Sequence, residues 1–416
     1  MSESVLPTAV SVRSVDEIRL LFPALRREHR GHRVAYFDGP GGTQVPAAVV
    51  DRMRDYLLNH NANTHWAYPS SEETDAAIAA ARAALADFLG AKPGEIAFGA
   101  NMTTLTFHLS RTLARAWQPG DEVIVTELDH HANVDPWRHV ARDRGLTIRT
   151  VPFDPATGEL DWSALERAFT PRTRLLAIGA ASNILGTITD VSAAARLARQ
   201  AGALCFVDAV HYAPHALVDV AAIGCDVLVC SPYKFYGPHL GTAWVRGDLL
   251  EQLDVPKVEP ASNDAPDRLE TGTQSHEAIV GAAAAVDVLA SLAPDAPGRR
   301  EALRRTMSVL HERGTRQLTR LWDALRAIPG VTVYGPPPTR PRTSTVSFVV
   351  AGRDSTEVAR HCAAQGLFVS NGDFYALTVA RRLGHEADGL VRLGCAAYTT
   401  DEEVERVIAA IAGIAR

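Results

Sequence analysis

The chain has 416 residues, of which 42 are basic and 48 acidic, for a formal net charge of −6. At roughly 100–200 residues per domain the length predicts two or three domains, with core enough to fold without disulfides or metals. The charge forms no basic block or stripe, which argues against nucleic acid or an anionic membrane as partner. In chain order, residues 1–30 are expected to be an N-terminal segment packing on the body. They hold no basic stretch followed by an apolar run, and no stretch in the chain is apolar enough to span a bilayer, so a cytoplasmic protein is expected. From 96 to 246, strands at 96–99, 122–127, 146–151, 175–179, 203–207, 227–230 and 241–245 alternate with helices at 103–117, 134–144, 162–169 and 191–200. Continuous apolar strands joined by helices predict an α/β fold with a mostly parallel, seven-stranded sheet covered on both faces. Ligands bind such sheets beyond the carboxyl ends of the strands. From about 280 the pattern changes to a helical stretch at 277–325, a break at Pro336–Pro338, strands at 345–350 and 367–369, and helices at 355–365 and 401–414. This predicts a large domain over 31–279 and a smaller α+β domain over 280–416.

The residue types at the predicted strand ends carry chemistry. Only three residues are lysines, Lys92, Lys234 and Lys257; the other 39 basic residues are arginines. Arginine stays protonated, whereas lysine can lose its proton and act as an amine nucleophile. Lys92 and Lys257 read as solvated loop residues, but Lys234 follows an apolar strand in SPYKFYGP. Asp208 ends another apolar strand, ALCFVDAVH. A buried carboxylate needs a cation or a donor. A pyridinium N–H would supply one, and the carboxylate would keep that ring an electron sink; a cap or surface turn is the alternative. Ser231 and Tyr233, in the loop with Lys234, offer hydroxyls to a phosphate. Asn101 and Met102 open a helix, where free N–H groups and the helix dipole suit the same group, although capping alone explains them as well. His130 and His131 follow a strand end; an imidazole there can stack on a flat ring and move protons. A metal site with Asp129 is the alternative, disfavoured because adjacent side chains at a helix start diverge. Asn183 can donate to a cofactor oxygen or merely shape a turn. Arg392 offers a fork to a carboxylate, from a substrate or from within the protein.

Together these segments resemble the class V aminotransferases of pyridoxal-phosphate (PLP) fold type I, and within them the cysteine desulfurase and selenocysteine lyase branch. The likeness spans residues 34–410, including FDGPGGTQVP, NANTHW, DHHANVDPW, SNILGT, VDAVH, SPYK and ETGTQS. It implies PLP as cofactor, Lys234 as the Schiff-base lysine, His130 stacked on the ring, Asp208 on the pyridine nitrogen and Asn183 near the ring oxygen. It further implies Ser231 on the phosphate, Arg392 on the substrate carboxylate, and a homodimer in which Thr273 reaches the phosphate of the neighbouring subunit. There are departures. His211 stands where the family usually has Gln, and Tyr233 where it has His. The small-domain loop that bears the sulfur-accepting cysteine in desulfurases reads LFVSNGDFYAL, with Tyr375 in that place and Ser370 where Arg is common. The five cysteines, Cys205, Cys225, Cys230, Cys362 and Cys395, form no CxxC pair and read as reduced core thiols, with Cys395, near Arg392, the one alternative as a sulfur acceptor. The expected function is a C–S or C–Se lyase acting on a cysteine-like amino acid without a persulfide cysteine. Transamination or epimerisation of another amino acid is the alternative. A PLP-bound protein without turnover and a metal-dependent hydrolase using His130, His131 and Asp208 are further readings.

Overall fold

A computed structural model describes residues 12–416; residues 1–11 of the expected N-terminal segment lie outside the described residues. The predicted strands form one sheet: β1 (Ile96–Gly99), β2 (Glu122–Thr126), β3 (Thr147–Val151), β4 (Thr173–Gly179), β5 (Leu204–Asp208), β6 (Val227–Cys230) and β7 (Gly241–Val245). Their spatial order is β1-β7-β6-β5-β4-β2-β3. All neighbours from β3 to β6 are parallel, while β7 runs antiparallel to β6 and to β1. The sheet is buried on both sides because each strand feeds two cores. Val207 and Leu228 point to one, built with Leu85 and Phe88 of α1 (Pro69–Leu89). Phe206 and Val229 point to the other, with Leu105 and Leu109 of α2 (Met102–Ala114) and Trp137 of α3 (Asp135–Arg144). A strand with two apolar faces reads as an unbroken apolar run, which is the pattern the sequence shows.

Helices α4 (Trp162–Ala168) and α5 (Val191–Gln200) cover the first face. The expected helical stretch at 277–325 is instead two helices, α6 (His276–Ser291) and α7 (Arg299–Ala327). The interruption follows from Pro294, Pro297 and Gly298, the last at φ +124°. Ile279 and Val286 of α6 pack in the first core, so a boundary at 279/280 passes through this helix.

A second sheet holds β8 (Val331–Tyr334), β9 (Thr345–Val350), β10 (Ser370–Gly372) and β11 (Leu390–Gly394), all antiparallel, in the order β8-β9-β11-β10. The predicted strand at 367–369 does not join it: Leu367–Phe368 pairs in parallel with Ala35–Tyr36. Along β11, Val391 and Leu393 face a core with Trp322 of α7, Val358 of α8 (Ser355–Ala364) and Val407 of α9 (Asp401–Ile414). Leu390 faces the other way, onto Leu128, Phe153 and Ile184 of the large sheet's connections. The period of two therefore turns Arg392, like Leu390, toward the large sheet. Among the described residues no helix is long and apolar enough to cross a membrane.

Candidate active site

A cavity of ≈ 880 Å³ lies beyond the carboxyl ends of β4, β5 and β6 and is bounded on the opposite side by β11, β10 and the turn that follows β10. Asp208, Ser231, Tyr233 and Lys234 line its floor. Asn101 and Met102 line one side, His130 and Asn183 another, and His211 and Arg392 complete it. These ten residues, each singled out in the sequence, thus meet in one place. Thr273 does not; it is exposed in the segment before α6 and lines nothing in its own chain's cavity.

Lys234 sits in a short helical turn between β6 and β7, the antiparallel pair whose connection hangs over the sheet end. Its Nζ donates to the carbonyls of Pro40 (2.5 Å) and Gly41 (3.0 Å). Burial, with the nearby Arg392 guanidinium, pulls its pKa down to about 7, although Asp208 acts the other way. The amine is therefore substantially neutral at physiological pH. Asp208 is held at the tip of β5 by the backbone N–H of Val210, which donates to Oδ1 at 2.9 Å. Burial raises its pKa to about 6. Beside it, Asp129 accepts from the backbone N–H of Gly179 (2.7 Å) and from Asn133 Nδ2 (3.1 Å). A Cβ on Gly179 would lie 2.5 Å from Asp129 Oδ1, so only glycine fits there. Burial and the neighbouring Asp208 push Asp129 well above the usual carboxylate range.

His130 Nδ1 accepts from the backbone N–H of Ala132 at 3.0 Å, which fixes its tautomer with the proton on Nε2. Its ring stacks on Tyr375 with centroids 5.5 Å apart and planes 28° off parallel. Burial, then Lys234, lowers its pKa to about 4, so the ring is neutral. The side chains of the metal alternative diverge: Asp129 goes to Gly179, His130 to Ala132, and His131 to Asp135 (2.9 Å) and Thr378 (3.1 Å). Asn101 caps α2, its Oδ1 accepting from the N–H of Thr104 at 2.8 Å. The capping reading of Asn101 is thus realised, and Met102 and Thr103, at the open start of the helix, also line the cavity. Tyr233 stacks on His239, centroids 4.8 Å apart.

Several buried polar atoms in this wall have no partner: Asn183 Oδ1, His211 Nδ1 and Arg392 Nε. Buried polar groups are ordinarily satisfied, so this concentration marks a place built for a polar ligand. His211 Nε2 is held by Thr343 and Thr345 hydroxyls, each at 3.1 Å, leaving Nδ1 free. Arg392 is buried, and burial brings its pKa down to about 9. Its Nη1 donates to the carbonyl of Asn183 at 2.8 Å. An amine in the turn after a strand, a buried carboxylate floor, a helix N-terminus and a buried fork together fit a phosphorylated pyridine aldehyde and an amino acid.

Residues 35–407 match the class-V aminotransferase family model. The chain belongs to the class-V aminotransferase family. It is a PLP-dependent enzyme with the α/β fold of that family. It is 30% identical to a cysteine desulfurase of Dickeya dadantii, over 97% of each chain. It is 33% identical to an aminotransferase-like protein of Gibberella zeae, over 96% of this chain and 98% of that one. A cysteine desulfurase from Thermococcus onnurineus NA1, solved in its apo state, superposes with a TM-score of 0.87 at 26% identity, covering 98% and 99% of the two chains.

Three contributors escaped the sequence reading. Asp38 is buried with Oδ1 unpartnered, and burial raises its pKa to about 6. Asp129 enters the sequence only as a member of the metal alternative. Phe374 was not singled out at all. Asp38 and Phe374 reach the site through non-local packing that no spacing in their own segments announces.

Proposed function

We propose that this family member breaks the Cβ–S or Cβ–Se bond of a cysteine-like amino acid without a persulfide-forming cysteine. The observation that carries the reading is a neutral Lys234 amine beside Asp208, His130 and Arg392 in a cavity that no cysteine lines. All five cysteines are buried, Cys395 beside a smaller neighbouring cavity that Lys234 also lines, and burial pushes Cys362 and Cys395 up to about 12. None is a ready thiolate. The names of the Dickeya and Thermococcus relatives support sulfur chemistry.

PLP bound here would supply an electron sink for charge developing at the substrate α-carbon. Lys234 would hold the cofactor, Asp208 would accept from its ring nitrogen, and neutral His130 would lie on its face. Ser231 and the N–H groups of Met102 and Thr103 would take its phosphate, joined by Thr273 of a second copy of this chain. Asn183, His211 and Tyr233 would contact the ring substituents. Arg392 would grip the substrate carboxylate through its fork. Lys234 Nζ, once free and neutral, takes the α-proton. The Cβ–S bond then breaks with its electron pair leaving on sulfur, so the products are sulfide, ammonia and a keto acid after addition of water. No oxidant or sulfur acceptor is required.

A screen of amino acids with mass detection of keto acid, ammonia and sulfide tests this. Equal amounts of all three from cysteine or a close analogue support the reading. Turnover of other amino acids with no sulfide from any thiol substrate overturns it. That outcome would favour transamination or epimerisation, the reading to which the aminotransferase-like relative of Gibberella zeae lends weight.

A further inference from the structure

We infer that Phe374 is a positioning residue for the carboxylate-binding fork: its ring lies against the Arg392 guanidinium and sets the plane in which that fork presents itself to the substrate. This rests on the reading of Arg392 as the carboxylate site. The Arg392 Cζ lies 3.9 Å from the Phe374 ring centroid. The other cation–ring pairs lie at 4.7 to 5.8 Å. The contact is therefore close, with the buried Arg392 guanidinium over the face of a half-buried ring.

The backbone is built to make it. Phe374 and Tyr375 both adopt left-handed φ, +55° and +57°, a region costly for aromatic side chains. Three bonds hold the turn in that form. Asn183 Nδ2 donates to the Phe374 carbonyl at 2.8 Å. The N–H of His131 donates to the Tyr375 carbonyl at 2.8 Å, and the N–H of Tyr375 donates to Asp373 Oδ1 at 2.8 Å. Asn183 thus anchors both partners, since its own carbonyl accepts from Arg392 Nη1. With one face against the ring and Nη1 committed, Arg392 keeps Nε and Nη2 for a carboxylate. Nε is buried and unpartnered. Gly41 leaves the space beside Nη2 open; a Cβ there would sit 3.6 Å from it.

The test uses the PLP-loaded protein and three variants, Phe374→Leu, Phe374→Tyr and Phe374→Gly. Glycine, titrated while the cofactor's visible absorbance is followed, reads amino-acid affinity without turnover. Loss of the ring should weaken glycine binding roughly tenfold, which is about 1.4 kcal/mol. Phe374→Tyr should stay within about twofold of the parent. Phe374→Gly is the decisive case, because it relieves the left-handed strain and removes the ring: its melting temperature should hold or rise while glycine affinity falls as in Phe374→Leu. With a turnover substrate, KM should rise and kcat stay near that of the parent. Unchanged glycine affinity in Phe374→Gly or Phe374→Leu overturns the inference. If Arg392→Ala also leaves glycine affinity unchanged, the carboxylate reading itself falls, and the two failures are distinguishable.

Discussion

Lys234 and Arg392 are two cations buried in one cavity, and their mutual repulsion is useful. It helps hold the Lys234 amine near neutrality, which is what an attacking amine requires. The rate at which apoprotein takes up PLP should therefore rise with pH through about 7, following the deprotonated fraction of Lys234. Arg392→Met removes one cause of the depression and should move that midpoint upward. A parent midpoint near the ordinary 10.5 of a solvated lysine would contradict the account. At the acid end, Asp208 must be ionised to accept from the ring nitrogen. Its pKa of about 6 predicts that equilibrium affinity for PLP weakens as pH falls through that value, measured by fluorescence titration. Arg392→Ala should weaken amino-acid binding more than tenfold while PLP stays bound, because a charge-assisted fork is worth about 1.5–3 kcal/mol. Equal losses of both ligands would mean that Arg392 holds the fold rather than the substrate.

At the scale of elements, the large sheet was legible because its strands are buried on both faces, and a run such as VLVC can satisfy two cores only as a strand. The second sheet was less legible. β8 and β10 are short and half-exposed, and β11 carries Arg392 at its centre, so neither period nor apolarity marks them. The residues at the ends of the large-sheet strands were found because topology alone sends a strand end to a ligand. Asp38 and Phe374 were not, because each is placed by another element: Asp38 by a bridge to Gly394, Phe374 by Asn183. Element packing also predicts that stability and ligand affinity fall together when one strand is crowded. A Cβ on Gly241 of β7 would lie 2.4 Å from the Asn101 carbonyl carbon and 2.8 Å from Leu105 Cδ1. Gly241→Ala should push back the start of α2, costing about 1–3 kcal/mol in denaturant unfolding and weakening phosphate binding besides. Gly94→Ala, which meets nothing within 4 Å, is the control and should change neither. Unaltered PLP affinity in Gly241→Ala would remove the start of α2 from the phosphate site.

At the scale of the molecule, the cavity gathers residues from the large sheet, the second sheet and the Pro40–Gly41 segment, so the reaction depends on how these bodies close on each other. Thr273 faces outward, which makes sense if it serves a second copy. Mixing Lys234→Ala with Thr273→Ala protein tests that arrangement. In a mixed dimer one site regains both residues if Thr273 acts across the interface, so PLP affinity and activity should return to a share of the sites. No recovery on mixing would place Thr273 in its own subunit's site or in none.

The central claim is that one amine among three lysines carries the cofactor. Borohydride treatment of the PLP-loaded protein, followed by peptide mass mapping, should leave the pyridoxyl group on Lys234 alone and erase the yellow colour. Modification of Lys92 or Lys257 instead, or of no lysine, would contradict it.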